Sequence, residues 1–321
     1  MLVSCKDKNA NDNLHEWCQK KYGELKPVKC TRGNVHAFLG MELDFGNKPG
    51  SCTVKQSIHV SDLIESFGTK VKGNSPTPGG NDLFLKGPGR LLCGSEKEMF
   101  HTCVAKALFI SKRSRPDIAL VVAVLSGRVR EPNADDLRKL RRLVDYLEGT
   151  KNLYLVLNAE GELRVFKWYV DASFATHPDF RSHTGGLMLM NEKGGTIISQ
   201  SLKQKVNSRS STEAELIGVD DMIVKMIWTA NFAKMQGLRP GRSTLYQDNE
   251  ASIVLETKGI ASAGKRMKHL NIKYFFVKDL VDRGDLKVEW CPTAAMVADF
   301  MTKPLQGKLF QEFRRRILGD Q

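Results

Sequence analysis

The 321-residue chain has no Cys-x-x-Cys pair, and its seven cysteines (Cys5, Cys18, Cys30, Cys52, Cys93, Cys103 and Cys291) are scattered and odd in number. That spacing argues against a disulfide framework or a zinc site and fits a reducing compartment. No apolar run approaches the ~18 residues that a membrane span needs. The first residues, "MLVSCKDKNANDN", lack the apolar stretch of a secretory signal. An intracellular protein, cytoplasmic or nuclear, with no membrane partner is therefore expected. Internal repeats and low-complexity tracts are also missing. Acidic side chains are under-represented: 36 Asp and Glu stand against 49 Lys and Arg, a formal net charge of +13, with a pI of about 9.4. This balance favours a polyanionic partner, of which nucleic acid is the commonest. A hydrophobic fraction of 41% supports packed cores, and the length suggests about two domains of roughly 100–200 residues.

The first half mixes short strands and helices. "VKCTRGNVHAFLGMELDF" (Val28 to Phe45) predicts two short strands around the turn "RGN". "IHVSDLIESF" (Ile58 to Phe67) has helical spacing, and "GNSPTPGGND" (Gly73 to Asp82) reads as a loop, either a linker or a crossing within one domain. Two helices are predicted between Ser95 and Gly149, the first over Glu96 to Lys112 with a break or restart at Pro116. The second carries Leu137, Leu140, Val144 and Leu147 on one stripe. Arg138, Lys139, Arg141 and Arg142 lie on the other side, either as a phosphate-tracking surface or as a solvated face.

The second half predicts strands over Leu163 to Asp171, Gly185 to Met190 and Thr196 to Leu202. A long helix follows from Thr212 to Met235, then a strand (Ser243 to Asp248), a short helix (Glu250 to Thr257), a helix (His269 to Arg283), a strand (Leu286 to Cys291) and a last helix. This order describes an α/β (α+β) unit with a mixed sheet, starting near Asn158.

Four acids stand out in that unit. Asp171 ends the apolar strand "FKWYVD", Asp248 ends the strand before "NEASI", Glu215 lies at the start of the long helix, and Asp299 follows in "CPTAAMVADFMTKPL", placed in the last helix. Each has an ordinary explanation as a turn former, cap or solvated residue. Ser210 and Glu213 fit a capping box, which gives Glu213 a structural role; Thr212 and Glu215 also fit one. As a set, clustered carboxylates repel unless cations neutralise them, and hard oxygen ligands select Mg²⁺ or Mn²⁺. Two such ions promote phosphodiester hydrolysis. Near Glu215, the uncharged Gln204, Asn207, Ser208 and Ser210 suit contacts to a ribose 2′-OH, or form an ordinary polar loop.

The stretches "YVDAS", "SQSLKQKVNSRSSTEAEL", "YQDNEASI", "KHLNIKYFFVKDLVDRGDLKVEW" and "ADFMTKPL" together resemble the ribonuclease H domain of copia-type LTR retrotransposon polyproteins, from Asp171 to Leu305. The resemblance implies a ribonuclease H-like mixed five-stranded sheet with helices, and makes Asp171, Glu215, Asp248 and Asp299 the catalytic, metal-binding carboxylates for two Mg²⁺ or Mn²⁺ ions. The first half is similar to the end of the same polyproteins' reverse transcriptase: "FLGM" (Phe38 to Met41) resembles a primer-grip hairpin, and "FHTCVAKALF" onward resembles the thumb and connection. The implied division is 1–157, a partial palm and thumb of hairpin and helices, and 158–321, the ribonuclease H domain.

The polymerase's Y-x-D-D strand does not occur in this sequence, so no polymerisation is expected of the chain by itself; the stretch resembling the polymerase starts after that strand. The loop before Asp299, "WCPTAAM", has no His where many ribonucleases H carry one. His269, in "MKHLNIKY", matches the family pattern and suits helix packing or substrate contact. The implied activity is metal-dependent endonucleolytic hydrolysis of the RNA strand of RNA–DNA hybrids, with the hybrid as partner, the rest of a polyprotein as a further one, and Arg138 and Arg142 as phosphate contacts. The alternative is a catalytically idle nucleic-acid-binding remnant of a transposable element.

Overall fold

A computed structural model describes residues 5, 7–159, 165–259 and 271–319. Helix α1 (Lys8–Tyr22) comes first, capped by the Asp7 side chain. Strands β1 (Val35–Phe38), β2 (Met41–Asp44) and β3 (Ser51–Lys55) form an antiparallel meander. The predicted turn at "RGN" is displaced: β1 begins after it, and the hairpin turns at Leu39 and Gly40, with Phe38 opposite Met41. Both turn residues have positive φ, 49° and 76°. A two-residue hairpin loop favours that geometry because its twist matches the strands, and Gly40 adopts it without steric strain.

Helix α2 (Ser57–Phe67) follows, then the Pro/Gly/Ser loop, then α3 (Gly94–Ser111), a 3₁₀ turn (Pro116–Ile118), α4 (Ala119–Ser126) and α5 (Ala134–Gly149). The loop is anchored rather than a free linker. The Asp145 carboxylate accepts the backbone N–H groups of Lys72, Gly73, Asn74 and Ser75 at 2.8–3.2 Å. Burial opposes ionisation of Asp145, but the Ser75 side chain and then these backbone bonds hold its carboxyl down to about 2. The Thr77 hydroxyl donates to Gln306 Oε1 at 2.9 Å, tying the loop to the far end of the chain. Helix α4 is an extra element within the predicted pair: its apolar run "ALVVAVLS" is buried nearly all round and so carries no one-sided stripe. Strand β4 (Leu155–Asn158) returns to pair with β3, Ser51 opposite Asn158.

The second sheet holds β5 (Lys167–Ser173), β6 (His183–Leu189), β7 (Ile198–Lys203), β8 (Ser243–Gln247) and β9 (Leu286–Trp290), in the order β7-β6-β5-β8-β9. β5, β6 and β7 pair antiparallel, while β5–β8 and β8–β9 are parallel. It is the mixed five-stranded sheet expected from the sequence. Helix α6 (Ser211–Met235) links β7 to β8, and α7 (Glu250–Lys258) and α8 (Asn271–Asp282) precede β9. A 3₁₀ turn (Val297–Met301) and α9 (Gly307–Leu318) end the fold. Residues 163–164 of the predicted first strand, and His269, lie outside the described residues.

Strand β5 is buried on both faces, which explains its apolar composition. Trp168 and Val170 pack with Val219 and Met222 of α6. Tyr169 joins the other cluster, where Leu187 of β6 and Phe300, Phe310 and Ile317 meet Phe100, Ile110, Leu125 and Leu143 of the first-half helices. The sheet therefore has α6 on one face and the first-half helices on the other. Among the described residues no helix is long and apolar enough to cross a membrane.

Candidate metal centre

Strand β5 carries Asp171 and runs two residues past it, to Ser173, rather than ending there. In the parallel β5–β8 pair Tyr169 lies opposite Tyr246. Two residues further along each chain the same register sets Asp171 beside Asp248, on one face of the sheet. Asp248 immediately follows β8 and precedes Asn249, whose side chain caps α7.

Asp299 sits in the 3₁₀ turn Val297–Met301, not in the last helix. Pro304 explains the correction: it disfavours helical geometry at Lys303, so the short turn and α9 stay separate. Gly185, opposite Asp171 on β6, lets that turn approach the sheet. A Cβ at Gly185 would fall 2.7 Å from Met301 Cβ and 2.9 Å from the Ala298 carbonyl oxygen. The result is a compact set: carboxylate oxygens of Asp171, Asp248 and Asp299 lie within 4.8 Å of one another.

Glu215 joins them from the second turn of α6 and is buried. One oxygen takes the Ala172 N–H, and among the described residues Oε2 has no hydrogen-bond partner. Burial, then the charges of Asp171 and Asp248, push its carboxyl well above the usual range. Burial and then Asp171 raise Asp299 to about 7, and burial raises Asp171. A buried carboxylate oxygen without a partner is costly. Asp171, Asp248 and Asp299 could hold a hard cation through their carboxylate oxygens, and Glu215 lies close enough for their charges to act on it. Glu213 has the capping role read from the sequence: its N–H donates to Ser210 Oγ at 3.1 Å, and its carboxylate accepts the Arg209 N–H at 2.8 Å.

Two neighbours escaped the sequence reading. Thr302 donates its hydroxyl to Asp171 Oδ2. Lys303 Nζ donates to Asp299 Oδ1 at 2.7 Å and lies 3.6 Å from Asp171 Oδ1. Their spacing of three and four residues from Asp299 is the signal that could have found them.

The other sequence candidates are dispersed. Gln204 is fully buried, its amide donating to Thr184 Oγ1 and the Ala214 carbonyl. Ser208 shares a hydrogen bond with Ser182 at 2.6 Å, Ser210 caps α6, and Asn207 is exposed. The basic face of α5 is not one free surface. Arg138 is paired with Asp82 and Asp135. Lys139 is buried, donating to Asp135 and the Leu85 carbonyl. Arg142 holds Thr77, and Arg141 lies over the Phe67 ring. Asp82, Thr77 and the Leu85 carbonyl of the 73–87 loop, together with Asp135 of α5 itself, absorb Arg138, Lys139 and Arg142, because the loop folds back onto the helix.

Glu256, on α7, is fully buried, and among the described residues neither carboxyl oxygen has a hydrogen-bond partner. Burial raises its pKa to about 8. With the folded value above the unfolded one, its neutral form is favoured on folding, and stability falls as pH rises from the unfolded value through about 8. Glu256→Gln is therefore expected to stabilise the protein at pH 8 by on the order of a few kcal/mol, with the gain vanishing below the ordinary carboxylate range. Thermal melts at the two pH values check it; an equal gain at both would refute the account.

No family model matches the chain. It is 27% identical over 319 residues to the retrovirus-related Pol polyprotein from transposon TNT 1-94 of Nicotiana tabacum, covering 97% of this chain and 23% of that protein. It is 34% identical over 287 residues to the Pol polyprotein from transposon RE1 of Arabidopsis thaliana, covering 88% of this chain and 19% of that protein. The transposon Ty1-DR1 Gag-Pol polyprotein of Saccharomyces cerevisiae is 24% identical over 330 residues, covering 97% of this chain. The chain thus spans about a fifth of the length of the curated relatives it matches. Among solved structures, a ribonuclease H1 isolated from compost aligns with 43% of this chain and 92% of its own at 18% identity and a TM-score of 0.33. A foamy viral protease-reverse transcriptase in complex with RNA/DNA hybrid aligns with 91% of this chain and 34% of its own, at 10% identity and a TM-score of 0.45.

Proposed function

From the premise that the chain is related, over most of its length, to the Pol polyproteins of copia-type retrotransposons, we propose that it hydrolyses the RNA strand of RNA–DNA hybrids in a metal-dependent reaction. Residues 158–321 form the ribonuclease H domain, and residues 1–157 form the end of a reverse-transcriptase palm and thumb that adds affinity for the hybrid. The observation that carries the reading is the convergence of Asp171, Asp248 and Asp299 beside the unpartnered Glu215 oxygen.

Asp171, Glu215, Asp248 and Asp299 would hold two Mg²⁺ or Mn²⁺ ions, which when bound supply charge neutralisation and Lewis acidity at a phosphodiester. The rest is positioning by the chain. The Thr302 hydroxyl fixes the Asp171 rotamer, and Lys303 restrains Asp299 from one helical turn away. In the reaction a water oxygen bonds to phosphorus as one of its O–H bonds gives up a proton to solvent, and the P–O3′ bond breaks. The departing 3′ oxygen takes up a proton, leaving 3′-OH and 5′-phosphate ends.

A hybrid labelled on each strand tests the proposal. Internal cuts in the RNA strand are expected with Mg²⁺, none in the DNA strand, and none after chelation. Tight binding without cleavage at any Mg²⁺ or Mn²⁺ concentration would leave only a binding function.

A further inference from the structure

A second set of basic residues borders one cleft outside the carboxylate cluster. A cavity of about 300 Å³ opens where the end of α3 meets the start of β7 and the middle of α6, and its walls include Lys112, Arg113, Ser199 and Lys225. No acid lines it, and none of the three cations forms an ion pair among the described residues. This sets Lys112 and Lys225 apart from the paired cations of α5, while Arg113 donates to the Phe109 carbonyl at 3.4 Å.

The corner that presents the cations is rigid. The Arg113 guanidinium stacks 3.9 Å from the Phe109 ring centre. Ser114 donates to Gln56 Oε1 at 2.8 Å, and the next residue, Arg115, is locked in a buried pair with Asp117. Carbonyls at the end of α3 attract cations and account for Lys112 and Arg113. They do not account for Lys225, which enters from the middle of α6. Burial, then Lys225, lower the pKa of Lys112, as a neighbouring cation does, and burial alone lowers that of Lys225.

We propose that this cleft binds a phosphate group, supplied by the backbone of the nucleic acid that the protein holds. The inference rests on the nucleic-acid reading above. Lys225 follows Glu215 by ten residues of one helix, about 15 Å at the helical rise, so the phosphate bound here lies several nucleotides from the one at the carboxylates.

The test compares Lys225→Glu with Lys225→Arg in the full chain, measuring hybrid affinity against salt without divalent metal, together with the thermal shift produced by inorganic phosphate. For Lys225→Glu the slope of log affinity against log salt should flatten by about 0.9, one phosphate contact, and the phosphate-induced shift should disappear. Lys225→Arg should keep both. A charge-reversed protein with the wild-type slope, or an arginine variant as weak as the glutamate one, would overturn the proposal. If the wild type itself binds no hybrid, the nucleic-acid reading fails. The phosphate shift then decides the subsite alone: its loss in Lys225→Glu identifies a site for free phosphate, and its absence from the wild type refutes the cleft as a phosphate site.

Discussion

Asp171→Asn is expected to remove hybrid cleavage by about a thousandfold or more, equivalent to about 4 kcal/mol of transition-state stabilisation, under the proposed two-ion chemistry. The substitution keeps the shape of the side chain and can still accept the Thr302 hydroxyl. It removes one anion from a set whose members already raise one another's pKa. Metal-free stability should therefore hold or increase, while the increase in melting temperature on adding Mg²⁺ should shrink. Binding of hybrid should persist, since it rests on cations elsewhere. Single-turnover cleavage and melts with and without Mg²⁺ separate these effects. Cleavage within tenfold of the wild type would remove Asp171 from the centre.

Asp117→Ala is expected to cost about 3–5 kcal/mol of stability, the loss typical when one partner of a buried ion pair is removed. Arg115 and Asp117 are almost wholly buried and face each other through two bonds of 2.8 Å. The Tyr146 hydroxyl adds a bond of 2.6 Å to Asp117, and Arg115 reaches the Thr150 carbonyl at 3.0 Å. Truncating the acid leaves a guanidinium in the core between α3 and α5 with no counter-charge. At a few degrees per kcal/mol for a chain of this size, the melting temperature should fall by roughly ten degrees. Replacing both partners, Arg115→Met with Asp117→Ala, should recover much of the loss, because no buried charge is then unpaired. A single substitution that leaves the melt unchanged would show that the pair is better solvated than its burial indicates.

The sequence by itself marked most elements of the second half and singled out the four acids as candidates. Period-two alternation marked β5, an apolar run marked β8, the polar lead-in of "NSRSSTEAEL" marked the start of α6, and the order strand, strand, strand, helix, strand predicted the mixed sheet. These signals are local, since each depends on which face of one element its own residues occupy. The position of Asp299 was harder to read, because the difference between a 3₁₀ turn and a helix start depended on Pro304 and on how closely Gly185 let the turn approach.

Tertiary structure decided what each polar group meets. Nothing within "LRKLRRLVDY" distinguishes a free basic face from one occupied by a loop, and the loop that occupies it begins about 65 residues earlier. The pairing of β3 with β4 joins segments about a hundred residues apart. The gathering of Lys112, Arg113 and Lys225 without an acid exists only because α3 and α6 meet at the edge of the second sheet. Charge and hydrogen-bonding capacity are written in the residue types, but burial and partnership belong to pairs of surfaces. A sequence fixes those only through the packing of the whole chain.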